Sequence, residues 1–400
     1  MSAAPRLVLE ERVALPDDHA RATLIGRAWV PGPLAGPSPV LVSDARVYDL
    51  SQVAPTCSEL MNSDEPGAVV AAAVKNGRAS FIGRAADLLA NSAADRRDPS
   101  RAHFLSPVDV QAVRACGVTF IASMLERVIE EQAKGDPAAA ESIRTSLGEE
   151  IGGELRTTKP GSPEAMRLKA SLVRRGMWSQ YLEVGIGPDA EIFTKAQPLS
   201  AVGTGAEIGI LSSSSWNNPE PELVLIVNCG GKVVGATLGN DVNLRDYEGR
   251  SALLLGRAKD NNASCALGPF IRLFDRHYGV SELRRTQISV EVAGDDGFRL
   301  EGSYDLTQIS RDPLDLAAQA LNREHQYPDG LALFMGTAFA PVRDRDEPGR
   351  GFTHKPGDVV TVRSPTLGAL SNRVNYCDKI APWSFGAGEL MRNLSARGLI

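Results

Sequence analysis

The chain has 400 residues, of which 43% are hydrophobic, 23% charged and 6% aromatic, with a formal net charge of −6. At about 150 residues per domain this is enough for two or three units with a large core, and it excludes a disulfide- or metal-stapled miniature, a disordered chain and a coiled coil. The acidic balance, with no basic run longer than a pair, argues against a nucleic-acid surface, and 38 glycines with 25 prolines favour turns and strands over a helix bundle.

The opening stretch, MSAAPRLVLEERVALPDDHA, places acids where a secretory peptide needs an apolar run. No segment approaches the roughly 18 apolar residues of a membrane span, so a cytoplasmic protein without a membrane partner is expected. From Ala22 to about Ser92, β-like runs (ATLIGRAWV, PVLVSDARVYDLS, GAVVAAAV) alternate with Gly/Pro turns, and a polar stretch follows from Asn91. These predict a smaller α/β N-terminal domain over residues 1–104 and a larger domain over 105–400.

Ile121, Met124, Leu125, Val128 and Ile129 form an apolar stripe at helical spacing, with Glu126, Arg127, Glu130 and Glu131 off it. An amphipathic helix is predicted there, with Arg127 in ordinary ion pairing on its exposed face. Ser162-Pro163 reads as an N-cap followed by proline at the first helical position, and helical composition continues to Tyr181. Beyond Glu191 strands and turns return: LVLIV, KVVGATL, QISVEVAG, FRLEGSYDL, GLALFMG, DVVTVRS and the stretch ending in NRVNYC, interrupted by one helix around Pro313 to Asn322. The cysteines Cys57, Cys116, Cys229, Cys265 and Cys377 show no CxxC pair and read as reduced, buried thiols.

One segment carries chemistry. Glu220-Pro221-Glu222 runs directly into a strand, so alternation puts both carboxylates on one face. Asn228-Cys229-Gly230-Gly231-Lys232 is a turn signal, and KVVGATLG reads as the returning strand. With Gly230-Gly231 as the two loop residues, Glu220 faces Asp241 and Glu222 lies diagonal to it. Like charges opposed across a sheet need a neutraliser. Clustered carboxylates without histidine suit a hard dication, which leaves sites for water and an anionic chelating ligand such as a 2-keto acid. The alternative is a solvated turn, with Asp241 capping the helix that follows.

Three ordered motifs are similar to the metal site of the fumarylacetoacetate hydrolase superfamily: the stretch from Asn217 through Glu220 and Glu222, that from Gly239 through Asp241 to Asp246, and that from Lys259 to Pro269. Phe334-Met-Gly336-Thr337, Lys355-Pro-Gly357-Asp358, Leu367-Gly368 and Asn372-Arg-Val374 also match that pattern, and the resemblance runs from about Gly117 to the C-terminus. The stretches around Trp178 to Glu183, Glu191 to Lys195 and His325 to Gly330 resemble its sugar-acid dehydratase branch. The resemblance implies an α+β fold with a mixed β-roll catalytic domain. It also implies Mg²⁺ on Glu220, Glu222 and Asp241 (with Mn²⁺ as a substitute), Lys259 and Glu191 as the acid/base pair, and Lys195 and Thr337 in the pocket.

Implied too are a homodimer or homotetramer and dehydration of a 2-keto-3-deoxy-D-pentonate, the xylonate-derived acid, to 2,5-dioxopentanoate in oxidative pentose catabolism. Hydrolytic members carry a His-Glu pair after a Gly-rich strand; the matching stretch here, Gly117 to Arg127, has no histidine, which favours lyase chemistry. Arg127 is a candidate for a substrate hydroxyl or carboxylate. An acylpyruvate hydrolase or oxaloacetate decarboxylase on the same scaffold, and an inactive sugar-acid-binding protein, are the alternatives. On the dehydratase reading Lys259 takes the C3 proton, its pKa lowered by burial or a nearby dication, and Glu191 protonates the departing C4 hydroxyl with a raised pKa; the two roles are exchangeable. Arg245 and Asp246 are expected to pair locally, and Glu183 to be an exposed helix-end acid.

Overall fold

The computed structural model describes residues 7, 9–134, 136–140, 142–143 and 158–400. Its strands are β1 (Leu24–Val30), β2 (Gly36–Ser43), β3 (Arg46–Asp49), β4 (Ser80–Arg84), β5 (His103–Leu105), β6 (Ala112–Gly117), β7 (Glu191–Ala196), β8 (Glu207–Ile210) and β9 (Asn217–Asn218). They continue with β10 (Pro221–Val227), β11 (Val233–Asp241), β12 (Asn243–Leu244), β13 (Cys265–Leu273), β14 (Gln287–Ala293), β15 (Arg299–Asp305), β16 (Leu331–Phe334), β17 (Val359–Ser364) and β18 (Gly368–Tyr376). Eleven of them form one sheet in the order β4-β3-β2-β1-β13-β11-β10-β16-β6-β7, with β5 added to β1, and five form a second in the order β15-β14-β17-β18-β8. Both sheets are mixed: β16 runs parallel to β6 and β18 parallel to β8, while the remaining pairs are antiparallel. The leading segment extends the large sheet, because β1 pairs with β13 at Leu24↔Arg272 and Ile25↔Ile271.

The run LVLIV is apolar without interruption because β10 is covered on both faces. Its odd positions, Leu223, Leu225 and Val227, pack with Ile288, Val290 and Val292 of β14 and with Val360 and Val362 of β17 between the two sheets. Its even positions, Val224 and Ile226, join Leu60, Met61, Val70, Ile271 and Phe334 on the other side. Each such side chain removed from water contributes roughly 1.5–3 kcal/mol, so this strand is a rigid support for whatever stands at its N-terminal end.

The expected amphipathic helix spans Ile121–Gln132. The proline-opened helix spans Pro163–Arg174, its Ser162 hydroxyl accepting from Ala165 N at 3.1 Å, and a separate short helix, Gln180–Ile186, follows. The late helix is Pro313–Ala320. The run GAVVAAAV departs from its strand reading: it lies in the helix Pro66–Lys75. Pro66 opens that helix at a position where its missing N–H costs nothing, and alanine outweighs valine in propensity.

The hairpin reaches the expected register by another route. Pro221↔Asn240 and Glu222↔Gly239 pair as a two-residue Gly230-Gly231 loop requires, and so does Ile226↔Gly235. The turn itself is one residue longer: Asn228 N donates to Lys232 O at 2.9 Å, and the Asn228 side chain accepts from the Gly230 and Lys232 amides. The register shift between Ile226 and Val227, which pairs with Val233, leaves Val234 as an extra residue, and this bulge cancels the added length. Gly231 sits at φ +83°, the left-handed conformation such a turn demands.

Candidate active site

Glu220 stands just before β10, Glu222 is its second residue, and Asp241 is the last residue of β11. Asp241 N donates to Glu220 O at 2.9 Å and Glu220 N donates to Asn240 Oδ1 at 3.1 Å, so the acidic ends of the two strands are tied together by their backbones. The three residues are 5%, 2% and 1% exposed, and one carboxylate oxygen from each lies within 4.8 Å of the others. Burial at this level rules out the solvated turn.

Three cations offset the charge. Lys259, at the C-terminal end of the helix Leu255–Lys259, places Nζ 2.5 Å from Glu220 Oε2 and 3.2 Å from Asp241 Oδ2. Lys195 of β7 places Nζ 2.8 Å from Asp241 Oδ1 and also donates to the Val242 and Lys259 carbonyls. Arg127 Nη2 lies 2.5 Å from Glu220 Oε1. Burial works against the Glu220 charge, but Lys259 and Arg127 outweigh it and hold its carboxyl below the ordinary range. Glu222 makes no ion pair among the described residues and accepts from Gly336 N at 2.7 Å; burial, with Asp241 and Glu220 adding repulsion, outweighs the opposing effect of Lys259 and raises it well above that range. Gly336 is at φ +81°, and a Cβ there would collide with the Thr119 hydroxyl, so glycine is what lets this amide reach Glu222.

The expected lowering of the Lys259 pKa is not what these surroundings give. Burial does act in that direction, but Asp241, Glu220 and Glu248 together overcome it and raise the value above that of an ordinary lysine. A cation shared by the same carboxylates is what would release this proton.

Arg127 does not lie on a water-facing side of its helix. Besides Glu220, its guanidinium reaches Glu130 Oε2 at 2.6 Å and Glu248 Oε2 at 2.9 Å. Glu130 in turn binds Arg245 at 2.5 Å, and Arg245 also reaches Glu126 at 3.2 Å and lies 4.3 Å over the Trp216 ring. Arg245 therefore does not pair with Asp246, whose carboxylate accepts from Ser214 and the Ser215 amide instead. The helix Ile121–Gln132 buries its polar side against the acidic site and its apolar stripe against Leu172, Tyr181, Leu182 and Ile186. Glu183, expected at an exposed helix end, pairs with Lys169 at 2.5 Å.

Glu191 opens β7 opposite Gly117 of β6. Its carboxyl is pushed up to about 7 by burial and by the nearby charge of Glu248. A Cβ on Gly117 would collide with that carboxylate. On the catalytic role proposed for Glu191 below, Gly117→Ala is therefore expected to displace that carboxyl and cost about 100-fold in kcat, with little loss of thermal stability; steady-state kinetics beside a melting curve checks this. Thr337 is buried next to Gly336, its hydroxyl accepting from Phe339 N at 3.1 Å.

Glu248, Glu130 and Tyr181 escaped the reading of the sequence. Glu248 is three residues after Arg245 in the short helix Arg245–Glu248, a spacing that puts both on one side, and that was the available signal. Burial and Glu248 raise the buried Tyr181 phenol, and Arg127 and Glu191 are also among the charges acting on it. Among the described residues the carboxylate cluster is the group able to hold a metal ion. Its donors are all carboxylate oxygens, which fit a hard dication such as Mg²⁺ and not a thiolate- or imidazole-seeking metal.

Residues 180–375 match the family described as fumarylacetoacetate (FAA) hydrolase C-terminal. The chain is 33% identical over 190 residues, 48% of its length, to the 2-dehydro-3-deoxy-D-arabinonate dehydratase of Saccharolobus solfataricus. It is 29% identical over 198 residues, 50% of its length, to a Haloferax volcanii protein named "Probable 2-keto-3-deoxyxylonate dehydratase". The matched stretches span 60% and 64% of those relatives. A solved structure of 2-keto-3-deoxy-D-arabinonate dehydratase complexed with magnesium and 2,5-dioxopentanoate superposes with a TM-score of 0.58 at 20% identity, covering 88% of this chain and 99% of the other, so the fold is shared. Glu191, Lys195, Glu220, Glu222, Asp241, Lys259 and Thr337 all lie within the stretch that matches the fumarylacetoacetate hydrolase C-terminal family.

Proposed function

We propose that the protein dehydrates a 2-keto-3-deoxy-D-pentonate, the acid that D-xylonate and D-arabinonate give in common, to 2,5-dioxopentanoate. The observation that carries this reading is the buried triad Glu220, Glu222 and Asp241 with Lys259 in contact and Glu191 held near neutrality. In this reading the triad holds Mg²⁺, which supplies Lewis acidity where negative charge develops at the 2-keto oxygen. Lys259 Nζ takes a proton from C3, and the protonated Glu191 carboxyl delivers one to the C4 oxygen as the C–O bond breaks and water leaves. Loss of a C5 proton and reprotonation of the chain then convert the enone alcohol into the aldehyde. Arg127, Lys195 and Thr337 are assigned to holding the carboxylate and hydroxyls of the substrate.

Elimination is favoured over hydrolysis because no histidine joins the carboxylate cluster among the described residues, and the buried His354 is turned to Asp358 at 3.1 Å. The two relatives' names also describe dehydratases. Purified protein incubated with 2-keto-3-deoxy-D-xylonate and Mg²⁺ is expected to form 2,5-dioxopentanoate, and a chelator is expected to reduce the rate to background. Pyruvate as the product, or no aldehyde, would overturn the reading.

A further inference from the structure

The network behind the triad has a feature that simple charge compensation does not require. Glu130 spends its two oxygens on two different arginines: Oε2 on Arg127 at 2.6 Å and Oε1 on Arg245 at 2.5 Å. Arg127 in turn divides its guanidinium, giving Nη1 to Glu130 and Glu248 and Nη2 to Glu220 Oε1. Arg245 is itself fixed by the Trp216 ring and by the Pro341 carbonyl at 3.2 Å, four residues beyond Thr337. The side chains of Arg245, Glu130 and Arg127 are 2%, 3% and 12% exposed, so these contacts are not screened as surface pairs are.

Glu220 is the triad member that Arg127 grips, and the strength of that grip sets how hard a cation must compete for the same carboxylate. With Nη1 turned to Glu130 and Glu248, only Nη2 faces Glu220, so this pair lacks the second parallel hydrogen bond that makes a bidentate arginine–carboxylate pair strong. We propose that Glu130 is a positioning residue for the cation site: by drawing Arg127 toward the anchored Arg245, it keeps Glu220 available as a ligand. This rests on the reading that Glu220, Glu222 and Asp241 bind a dication. Glu130 touches neither substrate nor cation and acts through Arg127.

The test is a double-mutant cycle read by direct Mn²⁺ binding, from electron paramagnetic resonance titration of the full chain, with melting curves for every variant. Glu130→Gln is expected to weaken Mn²⁺ binding about tenfold. In an Arg127→Met background the same substitution should change binding less than about twofold, because the residue it acts through is gone. Equal weakening in both backgrounds would mean plain loss of a nearby negative charge and would overturn the proposal, as would unchanged binding in Glu130→Gln. If the wild-type chain takes up no Mn²⁺, the cation reading fails and this proposal with it; if the wild type binds and the cycle shows no coupling, this proposal alone fails. Should Glu130→Gln not fold, Glu130→Asp keeps the charge but withdraws the oxygens by one methylene, and it should show a smaller weakening that Arg127→Met again removes.

Discussion

Lys259→Met should lower the rate of the proposed dehydration by about 10³, within the range that removal of a positioned acid or base produces, and should unfold at a markedly lower temperature in cation-free buffer. The two effects share one cause. Lys259 Nζ is in contact with Glu220 and Asp241 at 2.5 and 3.2 Å, in a place where only 2% of its side chain meets solvent. Methionine keeps the length of the side chain and removes the charge, so the triad is left with less compensation inside the protein. Stranding a buried charge in this way costs about 3–5 kcal/mol. A dication placed on the same carboxylates should return much of that stability, so Mg²⁺ is expected to raise the melting temperature of the variant more than that of the wild type. Calorimetric scans with and without Mg²⁺, beside an aldehyde assay, check both halves. Near-normal turnover with cation bound would remove Lys259 from the chemistry.

Glu191→Gln is expected to lower kcat by 10²–10³ or so and to change the pH profile in a defined direction. The Glu191 carboxyl is pushed up to about 7 by burial and by Glu248. A residue that must be protonated to deliver a proton is active below that value, so the wild-type rate should fall as pH rises through about 7. Glutamine should abolish that limb along with most of the rate.

Stability gives an independent reading with its own sign. In the unfolded chain this carboxyl titrates near the ordinary glutamate value of about 4.3. Between that pH and about 7 the folded protein holds a proton that the unfolded chain has lost, so this group's contribution to stability falls as pH rises across the window. Glu191→Gln carries no such penalty. It should therefore be more stable than the wild type at pH 8 or so, with the difference shrinking toward about pH 4.5. Urea midpoints at several pH values measure this, and a constant offset between the two proteins would place the carboxyl elsewhere on the pH scale.

The triad was legible because its geometry is set by short-range rules. Alternation along a strand puts Glu220 and Glu222 on one side, and hairpin register brings Asp241 to them. That register held even though the turn is one residue longer than the Gly230-Gly231 loop, since the bulge at Val234 returned the missing step. A buried face on either side of β10 makes a one-residue slip costly, which is why the pairing came out unchanged. The strand reading of GAVVAAAV failed for the opposite reason: Pro66–Lys75 is a helix whose alanines carry little periodic signal.

The polar side of the helix Ile121–Gln132 shows the limit. Its apolar stripe is visible at helical spacing, and charged residues off such a stripe ordinarily meet water. Here Glu130 is 2% exposed because that side is laid against the triad, and no local pattern carries this information. Lys259 was assigned to the site from its motif, but the direction of its pKa depends on three carboxylates from separate parts of the chain. Glu191 meets Gly117 only through the β6–β7 pairing, across a separation of more than 70 residues in the sequence. By itself, then, the sequence determined the carboxylate cluster and the strands and helices that flank it, because periodicity and turn chemistry act within a few residues. The tertiary structure alone decided which charges face which, that β1 continues the large sheet at β13, and that a helix offering its arginine to solvent by every local rule instead turns it onto Glu220.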